Sequence, residues 1–286
     1  MRLLSPIVAF SGLLCLYASA QALELKVFAG PGGFGVTSTL VIGKDEVIVV
    51  DSQYVRSDAH RLVAELLETR KRVATIYITH AHPDHILGSE VLAQAFPQAR
   101  FVARPEVVDA IAKLLPVVLA RPGFRDDPNN VREPVIPVVL SDNSLSLDGE
   151  KLEILSGLTG DGPEPCTALY IPSLRALIAG DLVFEGAHPW TASSTPAVRK
   201  AWIESVKKLE ALQPAIVVAG HRAPDGTNSP AALVFTREYL EAFDEARATA
   251  TSADELFQRM SARYPGLAYP TMLRLGTRRA YGPPTH

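Results

Sequence analysis

The sequence predicts an α+β fold in which β-sheets are sandwiched between helical layers. Three observations carry that expectation. Alternating, β-branched runs gather in two groups, one between residues 23 and 103 and the other between residues 145 and 219. Stretches with helical spacing interrupt and close each group. No internal repeat and no clean linker divides the chain, so residues 23–286 read as one domain.

Composition sets the outer bounds. A hydrophobic content of 47% with 21% charge describes an ordinary globular protein rather than a disordered or fibrous one. The formal charge of -3 leaves no basic footprint for nucleic acid. Arg2, the apolar run from Leu3 to Tyr17 and the small residues Ala18-Ser19-Ala20 read as a secretory signal peptide over residues 1–20. Ala20-Gln21-Ala22 offers a second cleavage point after residue 22. The run is too short for a comfortable membrane span. The expected address is therefore secreted or periplasmic, with no membrane segment after cleavage. Cys15 leaves with the signal and Cys166 then has no partner, so no internal disulfide is expected.

The elements follow in order. Leu23 to Ala29 alternates like a strand and runs into Gly30-Pro31-Gly32-Gly33-Phe34-Gly35. No Lys-Ser/Thr pair follows those glycines and the next segment reads as strand, so a mobile hairpin or plain turn fits better than a phosphate loop. Val36 to Ile42 and Val47 to Val50 form a hairpin whose second strand ends at Asp51-Ser52. Ser57 to Arg72 reads as an amphipathic helix capped by Ser57, with Leu62, Leu66 and Leu67 on one face. Val73 to Thr79 is a strand, Ile86 to Phe96 a helix, Arg100 to Ala103 a strand, and Pro105 to Leu115 a helix opened by its proline. Residues 116–137 are rich in Pro, Asn and Asp and lack periodicity, which suits a lid, a binding loop or a surface insertion. In the second group, Leu145–Leu147 and Lys151–Leu155 flank Asp148-Gly149, and Thr167–Ile171 pairs with Ala176–Ala179. Helices are expected over Val198–Leu212, Pro230–Thr249 and Ala253–Arg263, and a strand over Ala215–Ala219.

One stretch stands apart chemically. Thr79-His80-Ala81-His82-Pro83-Asp84-His85 holds three of the seven histidines and a carboxylate directly after a strand. Residues i and i+2 of an extended chain share a face, so His80 and His82 can reach one cation. Asp84 and His85 follow Pro83, where the chain turns, and suit a second cation or the water between two. Imidazole with carboxylate favours zinc, with iron or manganese as alternatives. Asp181 and His221 repeat one local pattern, an apolar strand, a glycine and then a metal-type donor. The glycine would let backbone and metal approach closely. Alone, Asp181 would read as a turn residue and His221 as an ordinary histidine.

His80-x-His82-x-Asp84-His85, with Gly180-Asp181 and Gly220-His221 far downstream, resembles the metallo-β-lactamase-fold hydrolase superfamily. The resemblance implies a four-layer αββα sandwich of two mixed sheets flanked by helices, with the metals at one edge. It implies that His80 and His82 hold one metal, that Asp84, His85 and His221 hold the other, and that Asp181 bridges. The family usually carries a further histidine between the central motif and the Gly-Asp, and this chain has none between His85 and His188. Asp161, Glu164 or Cys166 could stand in its place. Asp161, flanked by glycines, is the first choice.

The activity that follows is metal-assisted hydrolysis of a small ester, lactone, lactam or related molecule. Asp84 would be the catalytic carboxylate that orients the metal-bound hydroxide and passes on a proton. Asp51 and Thr79 are candidates to fix the imidazoles. His188 and Trp190 are candidates to line the substrate pocket, as are Tyr54 and Phe34, and Arg222 could hold an anionic group. For each, plain packing or a surface position is the competing reading. Two other classes stay open: an iron-dependent redox member of the superfamily, and a degenerate member that binds a ligand without turnover.

Overall fold

The computed structural model describes residues 22–282, and the expected signal peptide lies outside them. The first sheet has six strands: β1 (Glu24–Ala29), β2 (Thr37–Ile42), β3 (Glu46–Val50), β4 (Arg72–Tyr77), β5 (Arg100–Ala103) and β6 (Val138–Val139), in that spatial order. β1, β2 and β3 pair antiparallel, and β3 through β6 run parallel, so the sheet is mixed. The helices between its parallel strands are α1 (Arg56–Glu68), α2 (Pro83–Ile86), α3 (Ser89–Ala95) and α4 (Pro105–Leu119). The second sheet contains β7 (Ser144–Leu147), β8 (Glu150–Thr159), β9 (Pro165–Ile171), β10 (Ala176–Ile178) and β12 (Ile216–Val218), ordered β12-β10-β9-β8-β7. The short strands β11 (Phe184–Glu185) and β13 (His221–Arg222) pair beside it. Helices α5 (Pro196–Glu210), α6 (Ala231–Thr249), α7 (Ala253–Arg263) and α8 (Pro270–Arg279) complete the chain.

Side-chain alternation builds the layers. Along β3, Val47 and Val49 point to the helices while Ile48 and Val50 point to the other sheet. The helix-side cluster meets Leu62 and Leu66 of α1, Val91 of α3, and Val107, Ile111, Leu115 and Val118 of α4. Those four α4 residues fall three or four apart, on one helical face. Between the sheets, Ile48, Val50, Tyr77 and Val102 meet Leu152, Ile154, Leu169, Ile178 and Val218. The outer face of the second sheet packs Leu177 and Val217 against Trp202, Val206, Leu233 and Leu240. Each such aliphatic side chain contributes about 1.5–3 kcal/mol by leaving water. The order is therefore helices, sheet, sheet, helices. α6 has a second apolar face, where Tyr239 and Phe243 meet Leu256 and Met260 of α7 and Leu273 of α8.

Several boundaries depart from the sequence reading. α1 ends at Glu68, and Arg70 takes a left-handed φ of 56° that turns the chain into β4. Ser57 is not the cap: its amide is instead met by Asn129 Oδ1 at 2.9 Å. Leu67 is 63% exposed, because it lies about 100° round the helix from Leu66. The expected helix over 86–96 is broken at Leu87-Gly88 into α2 and α3, so Asp84 and His85 sit inside a short helical turn. α4 continues through Pro116 to Leu119. The rest of the 116–137 excursion is packed down, with Phe124 and Val131 in the core. Glu90 accepts from the amides of Arg132 and Glu133, and Ser89 Oγ accepts from that of Val135. α8 was not expected from the sequence.

The parallel strands position the site. β10 and β12 pair in register, Ile178 opposite Val218, and each is followed by Ala-Gly-donor. Asp181 and His221 therefore leave adjacent strand tips at the same level. β3 and β4 end together likewise, with Val50 opposite Tyr77, which brings Asp51 beside Thr79. The sheets are tied at this edge: the Thr167 amide and hydroxyl both donate to Thr79 O, and Tyr77 Oη lies 2.7 Å from Thr167 Oγ1.

Candidate metal centre

The donors converge on one point at that edge. His80 Nε2 lies 3.3 Å from Asp181 Oδ2, and His82 Nδ1 lies 3.3 Å from the same oxygen. His82 Nδ1 is also 3.4 Å from Asp161 Oδ2. On the other side, His85 Nε2 is 2.9 Å and His221 Nε2 is 3.4 Å from Asp181 Oδ1, and His221 Nε2 is 3.2 Å from Asp84 Oδ2. Asp181 thus faces both groups, one carboxylate oxygen to each. His80, His82, Asp161 and Asp181 bring four donor atoms within 4.8 Å of one another, and Asp84, His85 and His221 bring three.

The ring orientations leave the inner nitrogens free. Asp51 accepts from the Thr79 amide at 2.9 Å and the Thr79 hydroxyl at 2.8 Å. With its proton given to Asp51, Thr79 Oγ1 can accept from His80 Nδ1 at 2.9 Å, which places the lone pair of that ring on Nε2. His85 Nδ1 donates to Asp51 Oδ2 at 2.7 Å and His221 Nδ1 to Phe34 O at 3.0 Å, with the same result. Phe184 stacks on the His221 ring, centroids 5.3 Å apart. The glycine-rich turn, whose Phe34 takes φ 54°, therefore has a job that its composition did not reveal: it supplies the carbonyl that orients His221.

Gly180 and Gly220 allow the close approach. Gly180 has φ 52°, and a Cβ there would lie 2.9 Å from Thr79 Oγ1. A Cβ on Gly220 would lie 2.5 Å from the Gly180 carbonyl carbon, 2.7 Å from the Asp181 amide nitrogen and against Asp181 Oδ1. Those backbone atoms cannot step aside.

The residues fit metal ions. His80 Nε2, His85 Nε2, Asp161 Oδ1 and Oδ2, and Asp181 Oδ1 are all buried without a hydrogen-bond partner among the described residues. Buried polar atoms left unpaired cost about 1–3 kcal/mol each, so such a concentration calls for a ligand common to them all. Protonation reports the same demand. Burial opposes charge on His82, yet Asp161 and Asp181 outweigh it and lift its pKa to about 9. Burial likewise opposes charge on His221, but Asp181 and Asp84 raise it to about 10. His85 is raised well above its ordinary value by Asp181 and Asp51 against the cost of burial. Burial and the neighbouring His85 lower His80. Burial resists ionisation of Asp84, but His221 and His85 hold its pKa down at about 2. Asp181 is likewise held well below the carboxylate range by its histidines. Burial pushes Asp161 up, against the opposing pull of His82.

A family model described as the metallo-beta-lactamase superfamily matches residues 31–221, well over half of the chain. The chain belongs to the metallo-beta-lactamase superfamily. Solved structures agree on the fold. A metallo-beta-lactamase family protein from Thermus thermophilus superposes with a TM-score of 0.62 at 22% identity, covering 88% of this chain and 91% of that one. A metallo-beta-lactamase from Pontibacter korlensis gives 0.55 at 18%, covering 77% and 94%. The DIM-1 metallo-beta-lactamase gives 0.56 at 18%, covering 78% and 99%. No curated protein matches the sequence. This superfamily member thus has the four-layer αββα architecture and carries a His/Asp cluster able to bind metal ions.

The other candidates sort by position. Of the three considered for the gap left by the missing histidine, Asp161 joins a donor group. Glu164 lines the adjoining cavity. Cys166 packs into the core of the second sheet, and burial raises its thiol well above the usual range. Phe34, Tyr54 and Trp190 line the cavity, which has a volume of about 280 Å³. His188 is not on its wall: the ring is buried with Nδ1 2.8 Å from Tyr239 Oη, so the substrate-pocket role expected for it has no geometric basis. Arg222 is also turned away, bonded to Asn228 Oδ1 and Val27 O. Leu114, Arg121, Ser193 and Met272 do line the cavity. Met272 comes from the unforeseen α8, and Arg121 from a segment without periodicity.

Proposed function

We propose that the protein is an exported metal-dependent hydrolase with a dinuclear centre that takes zinc. One ion is held by His80, His82 and Asp161, the other by Asp84, His85 and His221, with Asp181 between them. The observation that carries this reading is the set of buried, unpaired nitrogen and oxygen atoms aimed at one another. With Asp161 in place of a third histidine, both halves offer two imidazoles and one carboxylate of their own. Zinc accepts such mixed nitrogen and oxygen sets, and the added carboxylate also suits manganese or iron.

When bound, such ions lower the pKa of a coordinated water toward about 7 and polarise the oxygen of the scissile bond. The protein's own residues do the rest. Asp84 is the ligand most open to the cavity, with its side chain 22% exposed, and it stays ionised far below neutral pH. It would orient the attacking water and carry its proton to the leaving group. Asp51 and Thr79 hold His85 and His80 against rotation. Phe34, Tyr54, Leu114, Trp190 and Met272 give the cavity an apolar wall, and its size suits a small ester, lactone or lactam. Export rests on the sequence pattern of residues 1–20. Among the described residues, no helix is long and apolar enough to cross a membrane.

Metal analysis of the purified protein, followed by a panel of chromogenic lactone, ester and lactam substrates, tests the reading. About two zinc ions per chain, and turnover abolished in Asp84→Ala even at zinc concentrations that refill its site, are expected. Unchanged turnover in metal-loaded Asp84→Ala would sink the role of that carboxylate. Iron as the resident metal would favour a redox member of the family, and absence of any metal would favour a binding protein without turnover.

A further inference from the structure

We propose that Asp58 is a positioning residue for the metal ligand His221, acting through the glycine-rich turn of residues 30–35. This rests on the reading of Asp84, His85 and His221 as the ligands of one ion, and it names what holds the His221 ring in place.

His221 Nδ1 donates to Phe34 O at 3.0 Å, so the ring is aimed only as well as that carbonyl is held. Backbone bonds secure the ends of the turn: the Gly30 amide donates to Val36 O at 3.1 Å, and the Arg222 amide to Gly35 O at 3.1 Å. The middle has less to rest on, because Pro31 and Gly32 are exposed and glycine has no side chain to pack.

Asp58 supplies a hold there. Its Oδ2 accepts from the Gly32 amide at 2.7 Å, and its Oδ1 pairs with Arg61. The side chain is 1% exposed, so water is no substitute for the Gly32 bond once it is lost. Asp58 stands in the first turn of α1, where the helix dipole favours a carboxylate. The turn is shaped to meet it. A Cβ on Gly30 would lie 2.7 Å from Asp58 Oδ2, and one on Gly32 would lie 2.8 Å from that oxygen and 2.6 Å from Val55 Cγ2. Glycine at both positions lets the turn lie flat against α1.

One short stretch therefore sets both histidines of one half of the centre. Asp51 holds His85 Nδ1 directly at 2.7 Å, and Asp58 holds His221 through Gly32 and Phe34. In the other half, His80 is held by Thr79, and neither His80 nor His82 hydrogen-bonds to the turn among the described residues. Loosening Asp58 should then weaken one ion and spare the other.

The test is a zinc titration of the full chain, wild type beside Asp58→Leu, Asp58→Asn and Gly32→Ala. Long-range nitrogen-15 spectra of the imidazoles show which rings hold metal. Leucine keeps the size and removes the acceptor. The ion on His85 and His221 should then bind about tenfold more weakly, the lower end of what loss of an outer partner costs, while the ion on His80 and His82 keeps its affinity. Asparagine still offers an oxygen to the Gly32 amide and should restore most of the loss. Gly32→Ala pushes the turn off α1 from the other side and should reproduce the selective weakening, and it carries the test if Asp58→Leu does not fold. Equal weakening of both ions would make Asp58 a general structural residue and overturn the proposal. Unchanged affinity in Asp58→Leu or Gly32→Ala, or no recovery in Asp58→Asn, would overturn it too. The two readings fail separately. Two ions in the wild type, both unmoved by the variants, would remove the positioning role and keep the centre. Selective weakening in a protein that turns over no ester, lactone or lactam would keep the positioning role and remove the hydrolase. A wild type with no metal on His221 would overturn both.

Discussion

Replacing Asp161 by asparagine separates the two halves of the centre. The side chain is 1% exposed, its oxygens have no hydrogen-bond partner among the described residues, and His82 Nδ1 lies 3.4 Å from Oδ2. Asparagine keeps the volume and removes the charge, so the change acts on the metal rather than on packing. Loss of a group that merely orients a ligand weakens metal binding by about 10–100-fold, so loss of a ligand charge should reach at least the upper figure. At free zinc about 1,000-fold above the dissociation constant, binding stabilises the fold by about 4.1 kcal/mol. A 100-fold weaker site leaves about 1.4 kcal/mol under the same conditions. For a domain of this size the difference of about 2.7 kcal/mol corresponds to roughly 5–10 °C in Tm. The assay is thermal unfolding at fixed free zinc, with metal content measured by mass spectrometry after equilibration against a zinc buffer. Asp161→Asn should retain one ion and lose most of the zinc-dependent rise. Asp161→His should restore both, since histidine is the residue the family resemblance led us to expect. Two tightly held ions in Asp161→Asn, with an unchanged zinc-dependent Tm, would refute the assignment of Asp161 as a ligand.

Other perturbations probe the frame around the donors. Gly220→Ala forces a methyl against the Gly180 carbonyl carbon and the Asp181 carboxylate, so it should weaken both ions together, seen as simultaneous loss in a metal titration. Asp51→Asn should lower affinity by about 10–100-fold, mainly through His85, and retention of full affinity would exclude the anchoring role. The metal-free protein should lose stability as pH rises from about 6.5 to about 9 for His82 and about 10 for His221, the range over which each keeps its proton only in the fold. The sign follows from linkage: raised histidine pKa values give stability that is full below the unfolded value near 6.5 and gone above the folded one. Asp84 acts oppositely, giving stability that is lost as pH falls from about 4 toward 2, and Asp181, also held down, acts in the same direction. Thermal scans with and without zinc check this, because the loaded protein should be flatter over the alkaline range.

Much of this was legible because it depends on local pattern. The four layers follow from alternation: Val47 and Val49 on one face and Ile48 and Val50 on the other require apolar neighbours on both sides of a sheet. Asp181 and His221 were legible because each closes the same short phrase at a strand tip, and the in-register pairing of Ile178 with Val218 turns that repetition into proximity. What was not legible depends on long-range packing. α8 shows no strong apolar run, since it buries only a few residues such as Met272 and Leu273 against helices already in place. The break at Leu87-Gly88 has no proline to announce it. It comes from the Gly88 amide donating to Gln53 O, a contact from a distant strand tip. For His188 the packing reading holds, because the ring turns inward to Tyr239, a contact from a helix 51 residues away that the local sequence does not show.

Asp161 and Arg121 mark the limit between these cases. Both lie in stretches without periodicity, both are ordinary in composition, and neither belongs to the histidine motif. Asp161 could be found because the resemblance left a vacancy of known kind, and in the corresponding stretch, residues 157–167, only Asp161, Glu164 and Cys166 carry a carboxylate or a thiol. Arg121 filled no known vacancy. Only the fold brings it to the wall of the cavity that the metal donors also line. Chemistry tied to the metal is constrained by coordination, and coordination imposes spacing that a sequence can display. The lining of a cavity imposes no such spacing, because many loops can reach one wall from many positions. The metal donors are therefore readable before the fold is known, and the wall around them only once the chain is folded.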